Sequence, residues 1–87
     1  MRVTVELFGI ARLRAGVSRT EADGSNLGDV FFDLAQRFPA LGDACITGRR
    51  LKAGFTANLG GEQFVTDPST NLKEGDFILL LSMDAGG

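Results

Sequence analysis

The feature of this sequence that most suggests chemistry is its final pair of glycines, Gly86-Gly87. Glycine loses the most conformational entropy on ordering and offers no side chain to pack, so a fold gains no stability from ending on two of them. A main-chain carboxylate with no neighbouring Cβ, however, suits entry into the narrow active site of another protein. A frayed chain end is the alternative interpretation. The rest of the sequence must decide between the two.

The other groups that could do chemistry are weaker candidates. The chain has no histidine, which removes the commonest general base and the commonest metal ligand. Without a histidine partner, we expect Cys45, the only cysteine, to be an inert thiol. Asp29 and Asp33 have the spacing of a solvated helix face, and Gly60-Gly61 lacks the Lys-Ser/Thr of a phosphate-binding loop and favours a hairpin turn. We therefore expect this chain itself to bind neither a metal nor a cofactor.

Composition limits the classes of function. The 87 residues are enough for one small domain, and 44% hydrophobic with 23% charged residues is ordinary globular composition. A net charge of −2, with the arginines spread among acidic residues, argues against nucleic acid as a partner. No apolar run approaches the roughly 20 residues that span a bilayer. The first five residues alternate like a strand, unlike a signal peptide. We expect a cytoplasmic protein with no membrane partner.

The first third of the chain predicts two strands. Apolar residues alternate with polar ones over 2–8, which is the pattern of a half-buried strand, and Phe8 falls on its polar face. Residues 10–15, bounded by a glycine on each side, are expected to form a loop. Residues 17–22 form the second predicted strand.

A helix is predicted next. Asn26 is its expected N-cap, with Asp29 three residues on in an arrangement like a capping box. The apolar residues that follow have the spacing of one helix face: Leu27, Val30, Phe31, Leu34 and Phe38. Pro39 is expected to end the helix, and 42–50 to form a polar connection.

The remaining elements complete a recognisable order. They are a hairpin from 51–58 and 62–66, turns at 67–70 and 73–76, and a last strand at 77–81. Two strands, a helix and three more strands in so short a chain fit the β-grasp architecture of ubiquitin. We therefore predict an α+β fold with a mixed sheet of four to five strands on one main helix, and with the first and last strands parallel at its centre. The domain is expected to cover 1–81, followed by a flexible tail, 82–87.

Four stretches carry a family resemblance. They are Leu-Phe-Gly-Ile-Ala-Arg at 7–12 with Ala-Gly at 15–16, Asn-Leu-Gly-Asp-Val at 26–30, Arg-Phe-Pro-Ala-Leu at 37–41, and Leu-Lys-Glu-Gly-Asp at 72–76 before the terminal glycines. In this order and spacing, the chain resembles the MoaD/ThiS group of ubiquitin-like sulfur carriers. The long 42–58 region and the opening loop resemble MoaD, the small subunit of molybdopterin synthase, more than ThiS.

The resemblance implies a catalytic cycle shared among several proteins. An E1-like enzyme of the MoeB/ThiF type would use MgATP to adenylate the Gly87 carboxylate, with Gly86 beside it. A sulfur donor such as a cysteine desulfurase or rhodanese would then replace AMP, and the thiocarboxylate would pass sulfur to a metabolite. In the molybdopterin branch the acceptor is a pyranopterin held by a large subunit of the MoaE type.

Other functions remain open at this stage. The chain could be a ubiquitin-like modifier joined to lysines through Gly87. It could also be a carrier for thiamin, cysteine or another thio-metabolite. A binding module whose terminal glycines are incidental is the third alternative.

A docking face follows from the alternation of the last strand. If Ile78 and Leu80 face the helix, then Phe77, Leu79 and Leu81 face outward beside Phe8 on the first strand, and an exposed apolar cluster suggests a protein interface. The resemblance implies partner contacts at Phe8 and Leu81. The further expected contacts are Leu59, Met83, Asp84 and Ala85. The alternative is that 51–66 covers this face and that these residues are core.

Overall fold

The computed structural model describes residues 1–83. Within this range the chain forms three helices: α1 (Gly9–Ala15), α2 (Leu27–Arg37) and α3 (Pro39–Cys45). The strands of the same range are β1 (Arg2–Leu7), β2 (Arg19–Asp23), β3 (Ile46–Thr47), β4 (Arg50–Leu51), β5 (Phe55–Leu59), β6 (Gln63–Val65) and β7 (Phe77–Ser82). The predicted site residues Asp84, Ala85, Gly86 and Gly87 lie outside the described residues.

The main sheet is built around the two ends of the described chain. Its strand order is β2-β1-β7-β5-β6, and β1 runs parallel to β7 while the other neighbours are antiparallel. The predicted parallel pairing of the first and last strands is therefore confirmed. In this pairing Val5 lies opposite Ile78 and Leu7 opposite Leu80. Strands β3 and β4 form a separate two-stranded ribbon.

Helix α2 begins and ends where its sequence signals predict. The side-chain oxygen of Asn26 accepts a hydrogen bond of 2.8 Å from the main-chain amide of Asp29, which satisfies one of the free donors of the first turn. The helix ends at Arg37, two residues before Pro39. Its apolar stripe packs against the sheet, with Leu27, Val30, Phe31 and Leu34 fully buried and Phe38 partly buried against them.

The prediction of a loop over 10–15 is wrong, because these residues form helix α1. The glycine at the end of this segment is the stop signal of a helix and not the border of a loop. Gly16 adopts the left-handed conformation at φ 79°, and its amide donates to the carbonyl of Arg12 at 2.9 Å. Ala11 is fully buried and fixes the helix against the core.

The prediction of a polar connection over 42–50 is also wrong. Pro39 ends α2 and at the same time occupies the first turn of α3, where its missing amide hydrogen costs nothing. Leu41 and Cys45 are fully buried on the inner side of α3. The two helices approach closely at Gly42, where a Cβ would lie only 3.0 Å from the Cβ of Ala35. The ribbon of β3 and β4 then takes up the remainder of the predicted connection.

Helices α1 and α2 pack on one face of the main sheet, α3 packs against both of these helices, and the core lies between the helices and the sheet. Its members are Val3, Val5, Leu7, Ala11, Ala22, Leu27, Val30, Phe31, Leu34, Leu41, Cys45, Ile46, Ala57, Val65, Leu72, Ile78 and Leu80. None of the helices in residues 1–83 has the length and apolar character needed to cross a membrane.

The hydrogen bonds of Asp29 at the start of α2 predict how the stability of the domain depends on pH. The Asp29 carboxylate accepts hydrogen bonds from the Ser25 amide at 3.2 Å, from the Ser25 hydroxyl at 3.1 Å and from Arg49 at 2.6 Å. The Ser25 amide is the largest of the causes that lower the pKa of Asp29 below its ordinary value of 3.8. A lowered pKa in the folded state contributes stability above the ordinary value, and this contribution is lost as pH falls through the folded pKa.

We therefore expect Asp29→Asn to lower the urea midpoint of unfolding at neutral pH, and the gap from the parent protein to close below about pH 4. Far-UV circular dichroism is the suitable probe, because the chain has neither tryptophan nor tyrosine. Asp43→Asn, at an exposed aspartate that makes none of these contacts, serves as the control. A gap that persists unchanged into acid would contradict the assigned role of the carboxylate.

Candidate docking site on the outer face of the sheet

The last strand presents two different faces, as its alternation predicts. Ile78 and Leu80 are fully buried under the helices, whereas Phe77, Leu79 and Leu81 lie on the outer face and are partly exposed. Phe77 is itself partly covered, because the guanidinium of Arg19 lies 5.3 Å from the centre of its ring. The outer face of β7 is thus apolar and open to solvent at Leu79 and Leu81.

Phe8 lies beside Leu81, as expected from the sequence. Its main-chain amide donates to the carbonyl of Leu80 at 3.1 Å, which continues the ladder between β1 and β7 by one residue beyond the Leu7–Leu80 pair. Phe8 also occupies the N-cap of α1 in an extended conformation. Phe8 has 38% of its surface exposed to solvent.

The structure places Leu59 elsewhere. In the register of β5 with β7, Leu59 lies opposite Ile78, and it packs partly buried against the core. It therefore lies on the inner face, and the prediction that it joins Phe8 and Leu81 on the outer face is wrong. The outer residues of β5 are Thr56 and Asn58.

Phe64 is the member of this surface that the sequence analysis missed. It lies opposite Asn58 on the edge strand β6, and 67% of its surface is exposed. The signal was present, since a strand with Val65 turned inward must turn Phe64 outward. Phe64 and Leu81 line a shallow apolar depression of about 390 Å³, together with Thr56, Ser82 and Met83.

These side chains form one apolar surface, which we call the outer cluster: Phe8, Phe64, Leu79, Leu81 and Met83. The alternative prediction, that residues 51–66 cover the face of Leu79 and Leu81, is wrong. Strands β5 and β6 extend the sheet sideways and add Phe64 to the surface. Phe64 and Met83 are each more than 60% exposed. Exposed apolar surface of this kind is characteristic of a protein interface.

The neighbouring half of the same face is charged. Arg2 on β1 forms ion pairs with Glu21 at 3.0 Å and with Asp23 at 3.5 Å, both on β2. All three side chains are more than half exposed, so the pairs contribute little stability. They do mark where the apolar surface ends. The outer face of the sheet thus has two halves. Leu79 and Leu81 on β7 and Phe64 on β6 make one half largely apolar, with Thr56 and Asn58 of β5 between them, and β1 and β2 form the polar half.

Two further candidates for chemistry within residues 1–83 are the thiol of Cys45 and a metal site. Cys45 is buried, and its burial raises the pKa of the thiol, which keeps it protonated and unreactive. No group of three or more side chains in this range could hold a metal ion. The predicted reacting residue, Gly87, lies four residues beyond Met83 in the sequence.

Comparison with known proteins identifies the fold. No protein-family model and no curated protein matches the sequence. Among solved structures, SAMP1 from Haloferax volcanii superposes with a TM-score of 0.85 at 21% identity, over 100% of both chains. The small archaeal modifier protein 1 from Methanosarcina acetivorans gives 0.80 at 26% identity, over 99% of this chain and 96% of that one. A structure of the complex between subunits 1 and 2 of the molybdopterin-converting factor from Helicobacter pylori also matches. One chain of that complex superposes with a TM-score of 0.67 at 22% identity, over 100% of this chain and 100% of that one.

The chain therefore has the ubiquitin-like β-grasp fold, and the predicted fold class is confirmed. The resemblance to the MoaD/ThiS group noted in the sequence is confirmed as a resemblance of fold.

The assignment of faces predicts opposite outcomes for two truncations of large apolar side chains. Leu80→Ala should lower the free energy of unfolding by about 2–5 kcal/mol, because Leu80 is fully buried. Phe64→Ala should cost at most about 1 kcal/mol, since it removes only cross-strand contacts at the surface. Urea unfolding followed by circular dichroism measures both. Equal destabilisation by the two substitutions would contradict the division into inner and outer faces.

Proposed function

We propose that this chain is a sulfur carrier that acts as the small subunit of molybdopterin synthase. The carboxylate of Gly87 is adenylated by an E1-like enzyme of the MoeB/ThiF type with MgATP and is then converted to a thiocarboxylate. The observation that carries this proposal is the position of the outer cluster. Leu79 and Leu81 belong to the strand that leads toward Gly86-Gly87, so the docking surface adjoins the segment that reacts.

The distance along the chain suits this division of labour. The four residues after Met83 reach at most about 14 Å when extended. A partner that covers Met83 and Leu81 therefore has Gly87 within the depth of an ordinary active site. Chain length alone sets this limit, so the docking surface must lie close to the catalytic groups of the partner.

The proposed reaction requires only the terminal carboxylate from this chain and no acid–base side chain. A carboxylate oxygen of Gly87 attacks the α-phosphorus of ATP, and pyrophosphate leaves. The persulfide sulfur of the donor, a cysteine desulfurase or rhodanese, then attacks the activated carbonyl, and AMP leaves. A thiol reduces the resulting acyl disulfide, which releases the thiocarboxylate and leaves a disulfide on the donor side. Free sulfide attacks the same carbonyl and gives the thiocarboxylate directly. Since the sequence contains no histidine, the proton transfers fall to the partners. The resulting thiocarboxylate delivers sulfur in the active site of a large subunit of the MoaE type.

Support for an enzyme partner comes from the outer cluster and from the Helicobacter pylori structure, which contains subunit 1 together with subunit 2. The same apolar surface serves the adenylating enzyme and the large subunit in turn, because the chain has only one reacting end. Binding at this surface also offsets the entropy lost when the terminal residues enter the active site.

A second function is favoured by a specific observation. The likeness to small archaeal modifier protein 1 supports a role as a protein modifier, whose activated Gly87 is transferred to a lysine amine of a target. Both functions begin with the same adenylate and diverge at the acceptor. Thiamin, cysteine or another thio-metabolite as the destination of sulfur requires only a different acceptor enzyme. A thiocarboxylate recovered from cells favours the carrier, and a ladder of covalent conjugates favours the modifier.

Incubation with its E1-like partner, MgATP and sulfide should replace one C-terminal oxygen of the protein by sulfur. Oxidation of Met83 adds nearly the same mass, so the products must be separated by cleavage before Asp84. This cleavage releases 84–87 free of methionine. The released peptide should carry the mass gain and react with a thiocarboxylate-selective alkylating reagent. A gain confined to methionine peptides would remove the main support for the carrier.

The matched control adds one alanine after Gly87. This extension leaves the outer cluster untouched, so binding to the E1-like enzyme should persist. Adenylation should be abolished, because the reacting carboxylate moves away from the nucleotide. Full adenylation of the extended protein would exclude Gly87 from the mechanism.

Docking is tested by three substitutions in the outer cluster: Phe8→Ala, Phe64→Ala and Leu81→Glu. Each should weaken binding to the E1-like enzyme by about 2 kcal/mol or more, which is roughly 30-fold in Kd, because each removes a large apolar contact. Isothermal titration calorimetry measures the change. Phe32→Ala is the control, since Phe32 is exposed on α2 at the opposite side of the sheet. Equal weakening by Phe32→Ala would place the interface elsewhere.

A further inference from the structure

A polar side chain is enclosed within the apolar half of the outer face. Asn58 lies on β5, opposite Leu79 of β7 on one side and Phe64 of β6 on the other. Only 6% of its surface is exposed. Among residues 1–83, no group donates a hydrogen bond to its side-chain oxygen Oδ1, and this atom is buried away from solvent.

Such an arrangement is unfavourable in the isolated domain. A buried carbonyl oxygen without a donor has lost its hydrogen bonds to water and gained none in return. Asparagine is also a poor strand former, and an aliphatic side chain would pack against Leu79 and Phe64 without any unpaired atom. The fold of the free domain therefore does not account for an amide at this position.

The surroundings of Asn58 allow the oxygen to become available on docking. The last torsion of an asparagine side chain is soft and roughly two-fold, and half a turn exchanges an oxygen and a nitrogen of similar size. Phe64, the cross-strand neighbour of Asn58, is mostly exposed on the edge strand β6. A partner that binds over Phe64 and Leu79 therefore lies next to the carboxamide.

We propose, on the basis of the function above, that Asn58 is a specificity-determining contact for the E1-like adenylating enzyme. When the outer cluster docks, Oδ1 of Asn58 accepts a hydrogen bond from a main-chain or side-chain donor of that enzyme near the centre of the interface. The surrounding apolar side chains exclude water from this bond. An enzyme with a purely apolar surface at this point would leave the amide unpaired and bind less well.

The test uses Asn58→Leu, which keeps the size of the side chain and removes its polar atoms. The urea midpoint of the free domain should rise, because the unpaired oxygen is gone. In ATP–pyrophosphate exchange by the E1-like enzyme of the same genome, the KM for this protein should increase at least tenfold, while kcat stays unchanged. An amide with a purely structural role predicts the reverse: a lower urea midpoint and an unchanged KM.

Each departure from this pair of results overturns the proposal. A lower urea midpoint means that the amide is already satisfied in the free domain, and an unchanged KM means that no bond forms on docking. Phe64→Ala, measured in the same assay, separates this proposal from the function on which it rests. If Phe64→Ala raises KM and Asn58→Leu does not, the docking face stands without Asn58. If neither raises KM, the docking face fails together with the contact at Asn58.

Discussion

The parallel pairing of β1 with β7 is the contact on which the rest of this structure depends. It joins Thr4 to Phe77 and thus closes a loop that contains nearly the whole domain. Closing so long a loop is entropically costly and becomes favourable only when the residues between are packed. The turn before β7 makes two further hydrogen bonds to β1. The amide of Gly75 donates to the carbonyl of Arg2 at 2.9 Å, and the amide of Thr4 donates to the carbonyl of Asp76 at 2.9 Å.

The same pairing also determines, through its register, which side chains form the outer cluster. Successive residues of a strand point to opposite faces, so a slip by one residue would exchange the buried and exposed sets of β7. Ile78 and Leu80 fix the register, because both are fully buried and a slip by one residue would move them out of the core. Phe8 and Leu81 are then brought together without any direct requirement from the core. The outer cluster is in this sense a product of the inner packing.

The sequence predicted well the elements whose signals are local and repeated. Helix α2 has a cap and a long apolar stripe, and β1 and β7 alternate clearly. Helices α1 and α3 have seven residues each, fewer than two full turns, and helices so short depend on tertiary packing that no periodicity reveals. Ala11 and Cys45 become core residues only because neighbouring helices cover them.

The error at Leu59 has a different cause. Apolar and polar residues alternate over 55–59, and this alternation already places Leu59 on one face with Phe55 and Ala57, the face that the pairing with Ile78 turns inward. What the alternation does not predict is the burial of Thr56 and Asn58, which depends on the strands paired on either side of β5. Strand β6 has only three residues, so the alternation of Phe64 with Val65 is a weak signal.

The central place of β7 has a mechanical consequence. Strand β7 is paired along both edges, with β1 on one side and β5 on the other. A pull applied through the residues that follow it acts along the strand and loads both ladders in shear, so many hydrogen bonds must break together. A strand at the sheet edge would peel away one bond at a time. The domain therefore resists a force applied to the end of the chain more strongly than it would if β7 lay at the edge of the sheet.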